Sequence, residues 1–239
     1  MIVAIHQPEY LPWLGFLEKA WQADLLVLLD TVPFSKGGFQ NRNRIRTAQG
    51  WSWLTVPVLT RGGFGQLIRE VPIDNRASPR WREKTWRSIE QAYARAPYFP
   101  ASAAALADIY AASWERLAAL NFCLIRVLFA AFGLRTRLAL ASAEGLAGRK
   151  ETLLLDICRR FGATTYLSGV GGRGYLDESS FQQAGIEVRY QEFHHPIYRQ
   201  CFEPFEPAMS AIDLLFNYGP QSLDLLTSTA TPRLGKVFT

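Results

Sequence analysis

The sequence predicts an α/β fold: a mostly parallel sheet with helices on both faces. Three observations point to it. Residues 2–5 form a short, continuous apolar run, the mark of a strand covered on both sides. Leu14, Leu17, Ala20 and Trp21 then recur at helical spacing, and residues 25–29 form a second apolar run ending at Asp30. Strand, helix and strand in such quick succession make a βαβ unit, so at least part of the sheet is parallel. Ligands of such Rossmann-like sheets lie beyond the carboxyl ends of the strands.

The remaining elements follow in order. The turn HQPEYLPW, residues 6–13, joins the first strand to the first helix. Residues 32–50 are polar, basic and rich in Gly and Asn without a sustained period, which predicts a long loop of the kind that usually carries function. Residues 53–58 and 68–73 alternate as strands, with Gly62, Gly63 and Gly65 between them as in a hairpin. Ser78 and Pro79 offer an N-cap and a first-turn proline for a helix reaching about Ala94. The alanine-rich stretch 102–132 supplies one or two further helices. A strand at 138–141, an amphipathic helix at 150–161 stopped by Gly162, and a strand beginning at Tyr166 and Leu167 come next. A helix at 177–184 and a strand at 186–190 follow. Residues 209–219 read as a helix capped by Ser210 and closed by Gly219, with Asp213 and Asn217 on one face. With no repeat and no low-complexity linker, residues 1–239 make one domain, with a helical insertion near 78–133 and a tail at about 228–239.

Composition narrows the function. With 49% hydrophobic and 20% charged residues, the 239-residue chain is not a disordered or linker protein. The start, MIVAIHQP, has no basic region and does not read as a signal peptide. The most lipid-like stretch, 117–134, is interrupted by Arg126 and falls short of a membrane span. Cys123, Cys158 and Cys201 lie far apart without a CxxC pair, which suits a reducing compartment and suggests neither a disulfide framework nor a metal site. A cytoplasmic protein is expected. The net charge of +5 is uneven: Lys36, Arg42, Arg44 and Arg46 occur together without an acid. That pattern implies a small anionic substrate. A nucleic acid is the less favoured partner, because no continuous basic face or nucleic-acid module is present, and the oligomeric state stays open.

Four constellations can carry chemistry. His6, Gln7, Tyr10 and Trp13 stand where the first strand hands over to the first helix, a place that attracts anions; the structural alternative is a turn shaped by Pro8 and Pro12. Lys36, Gln40, Asn41, Arg42 and Arg44 offer charge and hydrogen bonds beside Phe34 and Phe39, which can stack on a flat ring; the alternative is a solvated basic loop. Ser168, Gly169, Gly171, Gly172 and Arg173 follow a strand and can bring backbone N–H groups to a phosphate, although no GKS or GKT makes this a Walker loop. His194 and His195, on an extended segment, point to opposite sides and do not share a metal. One of them, or His6, is the candidate acid or base, with Tyr198 and Gln200 as substrate contacts; the alternative is a histidine packed over the sheet edge.

Taken in order, HQPEYLPWLGF, LDTVPFSKGGFQNRNRI, GWSWLTVPV, APYFP, TTYLSGVGGRGYL, HHPIYRQ and SAIDLLFNYGP resemble the WbqC-like protein family over nearly the whole chain, residues 2–226. The resemblance implies a role in O-antigen, surface-polysaccharide or amino-sugar pathways. More distantly, the opening is similar to nucleotidylyltransferase-like enzymes, pantothenate synthetase among them, whose HxGH motif holds ATP phosphates. Here those positions fall on Trp13, Leu14, Gly15 and Phe16, and both histidines are absent. ATP is thus the candidate cofactor that this similarity offers, and its phosphates would fall to His6, Lys36 or the arginines. The expected function is acyl or aminoacyl transfer, forming an amide on a small phosphorylated or nucleotide-linked amino sugar. The alternatives are an ATP-dependent nucleotidyltransferase releasing pyrophosphate and a non-catalytic ligand- or RNA-binding protein.

Overall fold

The computed structural model describes residues 1–60, 65–148, 150–174 and 176–230. At its centre lies β1 (Ile2–His6), flanked by β2 (Leu25–Leu28) and, on the other side, by a strand from far along the chain. Between β1 and β2 runs α1 (Leu14–Gln22). After β2 come a two-stranded antiparallel hairpin, β3 (Arg42–Thr47) and β4 (Gly50–Thr55), and four helices: α2 (Trp81–Tyr93), α3 (Phe99–Ser102), α4 (Ala104–Ala111) and α5 (Leu117–Ala131). The chain re-enters the sheet as β5 (Arg137–Leu140), then continues through α6 (Lys150–Arg160), β6 (Thr165–Ser168), α7 (Glu178–Gln183) and β7 (Glu187–Tyr190). It ends in α8 (Ile212–Tyr218) and α9 (Ser222–Thr227). The strands are ordered β5-β2-β1-β6-β7 and every pair is parallel. This is a Rossmann-like α/β fold.

Both faces of the sheet are covered, which explains the unbroken apolar runs. Alternate residues of β1 and β2 go to opposite sides. Ala4, Leu26 and Leu28 join one core with α1, α5 and α8. Val3, Ile5, Leu25 and Val27 join the other with Leu153, Ile157 and Cys158 of α6 and Phe181 of α7. From β1 the chain builds outward through β2 to β5, then crosses back to build β6 and β7 on the opposite side. The reversal makes a topological switch point between the carboxyl ends of β1 and β6, the place where sheets of this class open their ligand crevice.

Two expectations are corrected. Residues 32–50 are not one loop, because Arg42–Thr47 is a strand paired with Gly50–Thr55. Its period was hidden because the buried side chains include Asn43 and Arg46 as well as Ile45. Consequently β4 does not pair with 68–73 as a second hairpin strand. Ile68–Glu70 is a single 3₁₀ turn that buries Ile68, followed by buried Val71, and among the described residues the strand-like pairing of the two segments is an isolated bridge between Val58 and Ile73. Gly62 and Gly63 of that expected hairpin, and residues 231–239 of the expected tail, lie outside the described residues. Two helix starts also shift by a residue or two, to follow Arg80 for α2 and Ala211 for α8, while Ser210 Oγ still accepts from Ile212 N. Among the described residues no helix is long and apolar enough to cross a membrane.

Candidate functional site

The crevice is built by the divergence of β1 from β6. Their pairing stops at Ala4 and Leu167. The carbonyls of Ile2 and His6 turn towards the β2 side, accepting from Asp24 N and Leu29 N; strand alternation therefore turns the Ile5 carbonyl towards β6, beyond the last paired residue. Lys19 of α1 fills that vacancy, its Nζ donating to Ile5 O at 2.8 Å. The amine is 3% exposed and sits 4.0 Å from where a Cβ on Gly169 would lie. Burial lowers its pKa to about 8, with the Glu9 charge partly opposing.

Half-buried His6 and buried Glu9 complete an ionisable group with Lys19. Glu9 Oε1 is 3.9 Å from His6 Nδ1, and Glu9 Oε2 is buried without a hydrogen-bond partner. Burial raises Glu9 to about 8, against the opposing pull of Lys19. Burial first, then the Lys19 charge, hold His6 down to about 4. Because the Gln7 carbonyl only accepts, His6 Nδ1 must be the donor in their 3.0 Å contact. The neutral ring therefore keeps an acceptor lone pair on Nε2. Its edge is fixed against Phe16. Ionisable groups driven towards their neutral forms in a strand-end crevice have the physical signature of a reactive site.

The rest of the 6–13 turn is scaffold. Tyr10 is fully buried and its hydroxyl bonds that of Tyr110 at 2.5 Å. Leu11 adopts φ +43°, a conformation that costs a non-glycine residue about 1–2 kcal/mol. Asn43 holds it there, donating to Leu11 O at 2.7 Å, while Asn121 binds Pro8 O and Gln40 O. Gln40 spans the site's edge, donating to the Gln7 side chain and accepting from Ser35 N. The start of α1 is covered: the Trp13 indole lies across Gly15, where an added Cβ would meet it at 2.5 Å. Trp13 also packs edge-on to Phe193 and pairs with Ser210.

The hairpin carries the expected arginines in an arrangement that their spacing did not reveal. Arg42 lies 4.3 Å over the Trp53 ring, and Arg44 lies over Trp51 and Trp53. Their amino groups also bind backbone, Arg42 at Gly37 O and Arg44 at Ala208 O. Asn41 donates to Val56 O, and Lys36 is exposed. Phe39, Trp51 and Trp53 remain exposed beside the guanidinium groups. A cavity of about 460 Å³ lies against Trp53, between β4 and the start of α2.

In the glycine loop, Ser168 is buried and its Oγ contacts Gly169 O. Gly172 is required sterically, since an added Cβ would stand 2.2 Å from Ser168 Oγ. Gly171 is exposed, and Arg173 reaches Glu192 and lies over Tyr190. The 194–200 segment is placed differently from the catalytic expectation. Both ring nitrogens of His195 are occupied, Nδ1 donating to Pro196 O and Nε2 accepting from Ala208 N, which is the placement that the alternative reading describes. His194 is exposed. Tyr198 and Gln200 are buried and converge on Asp213 Oδ2 at 2.8 Å each, while Tyr93 takes Oδ1 at 3.0 Å. Arg46, buried nearby on three backbone carbonyls, completes a framework joining the hairpin to α8.

Thus His6 lies beside Glu9 at the end of β1, Gln40 ties the hairpin to Gln7, and Tyr198 and Gln200 join Asp213 in a network apart from them. Lys19, Glu9, Trp51 and Trp53 were missed. The signal for Lys19 was a charged pair inside the otherwise apolar LGFLEKAW, on a helix buried from Leu14 to Ala20. Among the described residues no group of three or more His, Cys, Asp or Glu is placed to hold a metal.

The model for the WbqC-like protein family matches residues 7–225. The uncharacterized protein Rv1507c of Mycobacterium tuberculosis is 38% identical over 226 residues, spanning 94% of this chain and 96% of its own length. No solved structure matches the chain.

Proposed function

We propose, from the premise that the chain belongs to the WbqC-like protein family, that it is a biosynthetic enzyme forming an amide on a small amino sugar. The sugar is phosphorylated or nucleotide-linked and belongs to a surface-polysaccharide or related pathway. The observation carrying this reading is the neutral His6 and desolvated Lys19 at the carboxyl end of β1. An acceptor amine attacks the carbonyl carbon of an acyl or aminoacyl donor; the new C–N bond forms first, giving a tetrahedral intermediate, and its collapse breaks the bond to the leaving group. His6 Nε2 orients the amine and receives its proton, which passes to the leaving group. Lys19, as the cation, faces the oxyanion of the tetrahedral intermediate, an electrostatic effect strengthened by burial. Lys36, Arg42, Arg44 and Arg173 draw the anionic substrate in by long-range attraction. Gln7 and Gln40 line the approach.

Transfer of a nucleotidyl group fits less well, because Trp13 covers the start of α1, where the related enzymes hold ATP phosphates. The test is turnover of coenzyme A thioesters and aminoacyl donors with nucleotide-linked amino sugars, read by mass spectrometry. His6→Ala and Lys19→Met should each reduce it by about 100-fold or more. Pyrophosphate release from a nucleoside triphosphate and a sugar phosphate, or full activity in both variants, refutes the reading.

A further inference from the structure

We propose that the cleft between the β3–β4 hairpin and α2 is a second ligand site, taking a phosphate-bearing ring that stacks on Trp53. The proposal rests on the reading above in one respect: the cleft holds the remote part of the substrate whose amine reacts at His6. Its cavity, about 460 Å³, falls within the roughly 300–1,000 Å³ of small-molecule sites. Its lining combines an aromatic wall, two cations and hydroxyl groups: Trp53, Trp81, Arg80, Lys84, Ser78 and Thr85.

The chemistry selects the ligand. Trp53 is 37% exposed and belongs to a contiguous surface of large rings, 5.6 Å from Trp51 and 6.2 Å from Phe39 between centroids. Exposed large rings grouped together are the kind of apolar surface that ligands and partners use. Arg42 over the ring, 4.3 Å from its centroid, makes Trp53 a fixed platform. Trp81 is buried, and its indole N–H is already held by Asn75 Oδ1, so it supplies wall and no donor. The charge comes from Arg80 and Lys84. Glu83 engages Arg80 at 2.8 Å in an exposed pair, whereas among the described residues Lys84 forms no ion pair. A ring stacked on Trp53 would therefore present its phosphate to Lys84, with Arg80 beside it.

The cleft is also joined to the sheet end. Phe39, next to Trp53, accepts from Tyr10 N through its carbonyl, and the neighbouring Gln40 side chain binds that of Gln7. A substrate anchored in the cleft is thus connected through two consecutive residues to the crevice holding His6. Two charges and one open cleft of this size suit a single phosphorylated moiety and not a nucleic-acid strand, which requires a groove with successive stacking platforms.

The experiment is isothermal titration of the whole protein with uridine diphosphate and, separately, with glucose 1-phosphate, which distinguishes a base from a sugar as the stacking ring. One probe should bind. Lys84→Glu and Trp53→Leu should each weaken it by about tenfold or more, with unchanged melting temperature for the exposed Lys84 variant. Lys19→Met should leave its affinity within about twofold. Failure of both probes to bind overturns the proposal, as does undiminished binding in Lys84→Glu and Trp53→Leu. Binding lost only in Lys19→Met places the phosphate at the sheet end, overturning the cleft while leaving the amide-forming reading intact. Tighter, steeply salt-dependent binding of a single-stranded oligonucleotide also overturns it. If the cleft behaves as expected while His6→Ala retains full turnover, the catalytic reading fails and the binding site stands.

Discussion

Replacing Lys19 with methionine separates a residue kept for chemistry from one kept for packing. The side chain is 3% exposed and lies on the apolar side of α1, so an unbranched thioether fills its volume. Its pKa falls from 10.5 to about 8 on folding, which costs the folded cation about 3 kcal/mol. Against this stands the hydrogen bond to Ile5 O, worth about 1.5–3 kcal/mol to a charged donor. At pH 7 Lys19→Met should therefore be neutral to about 2 kcal/mol more stable, although turnover collapses. The pH dependence is sharper. Because the folded pKa lies below the unfolded one, the unfolded chain binds more protons between pH 8 and 10.5, and native stability rises with pH there. At about 1.4 kcal/mol per pH unit, the wild type should gain about 2 kcal/mol from this source between pH 8 and 9.5, and the variant none. Glu9, freed of its cation, would titrate higher in the variant and steepen its decline, so the difference is a minimum. Urea unfolding of both proteins at pH 7, 8 and 9.5 measures it. Parallel stability curves, or a loss above about 2 kcal/mol at pH 7, would refute the desolvated-amine reasoning.

Two further substitutions probe the scaffold. Asn43→Ala removes the donor to Leu11 O and the acceptor for Arg44 N and should cost about 2–3 kcal/mol; an unchanged urea midpoint would show that the left-handed turn holds itself. Asp213→Asn replaces a carboxylate that accepts from Tyr93, Tyr198 and Gln200 by an amide whose NH2 must face one of these donors, for an expected loss of about 1–3 kcal/mol. Thermal unfolding checks it, and a shift below about 2 °C would mean that the network adds little.

Much of the fold was legible because its strands are buried on both faces. Unbroken apolar runs at β1 and β2, the Gly162 stop after α6 and the strand leading into the glycine loop all follow from local rules of period and termination. The hairpin was not legible. Its β3 strand buries Asn43 and Arg46, whose inward direction depends on Leu11 O, Thr47 O, Gly50 O and Pro204 O, acceptors supplied partly by distant chain. The site divides in the same way. His6 and Gln7 stood out as polar residues ending an apolar strand, and the arginines as an acid-free cluster. His195 looked equally reactive, because no local pattern shows that Ala208 N occupies its second nitrogen.

What the sequence determined by itself is the α/β architecture, the strand-end position of His6 and the basic character of the hairpin, since each depends on near-neighbour periodicity, termination or composition. Only the tertiary structure decided that Lys19 and Glu9 are buried beside His6, that α1 begins under Trp13, and that Trp53 walls a cleft with α2. Desolvation is the physical reason: whether a charge is bathed in water or pressed towards neutrality depends on which strands diverge above it, and β1 and β6 are more than 150 residues apart in the chain.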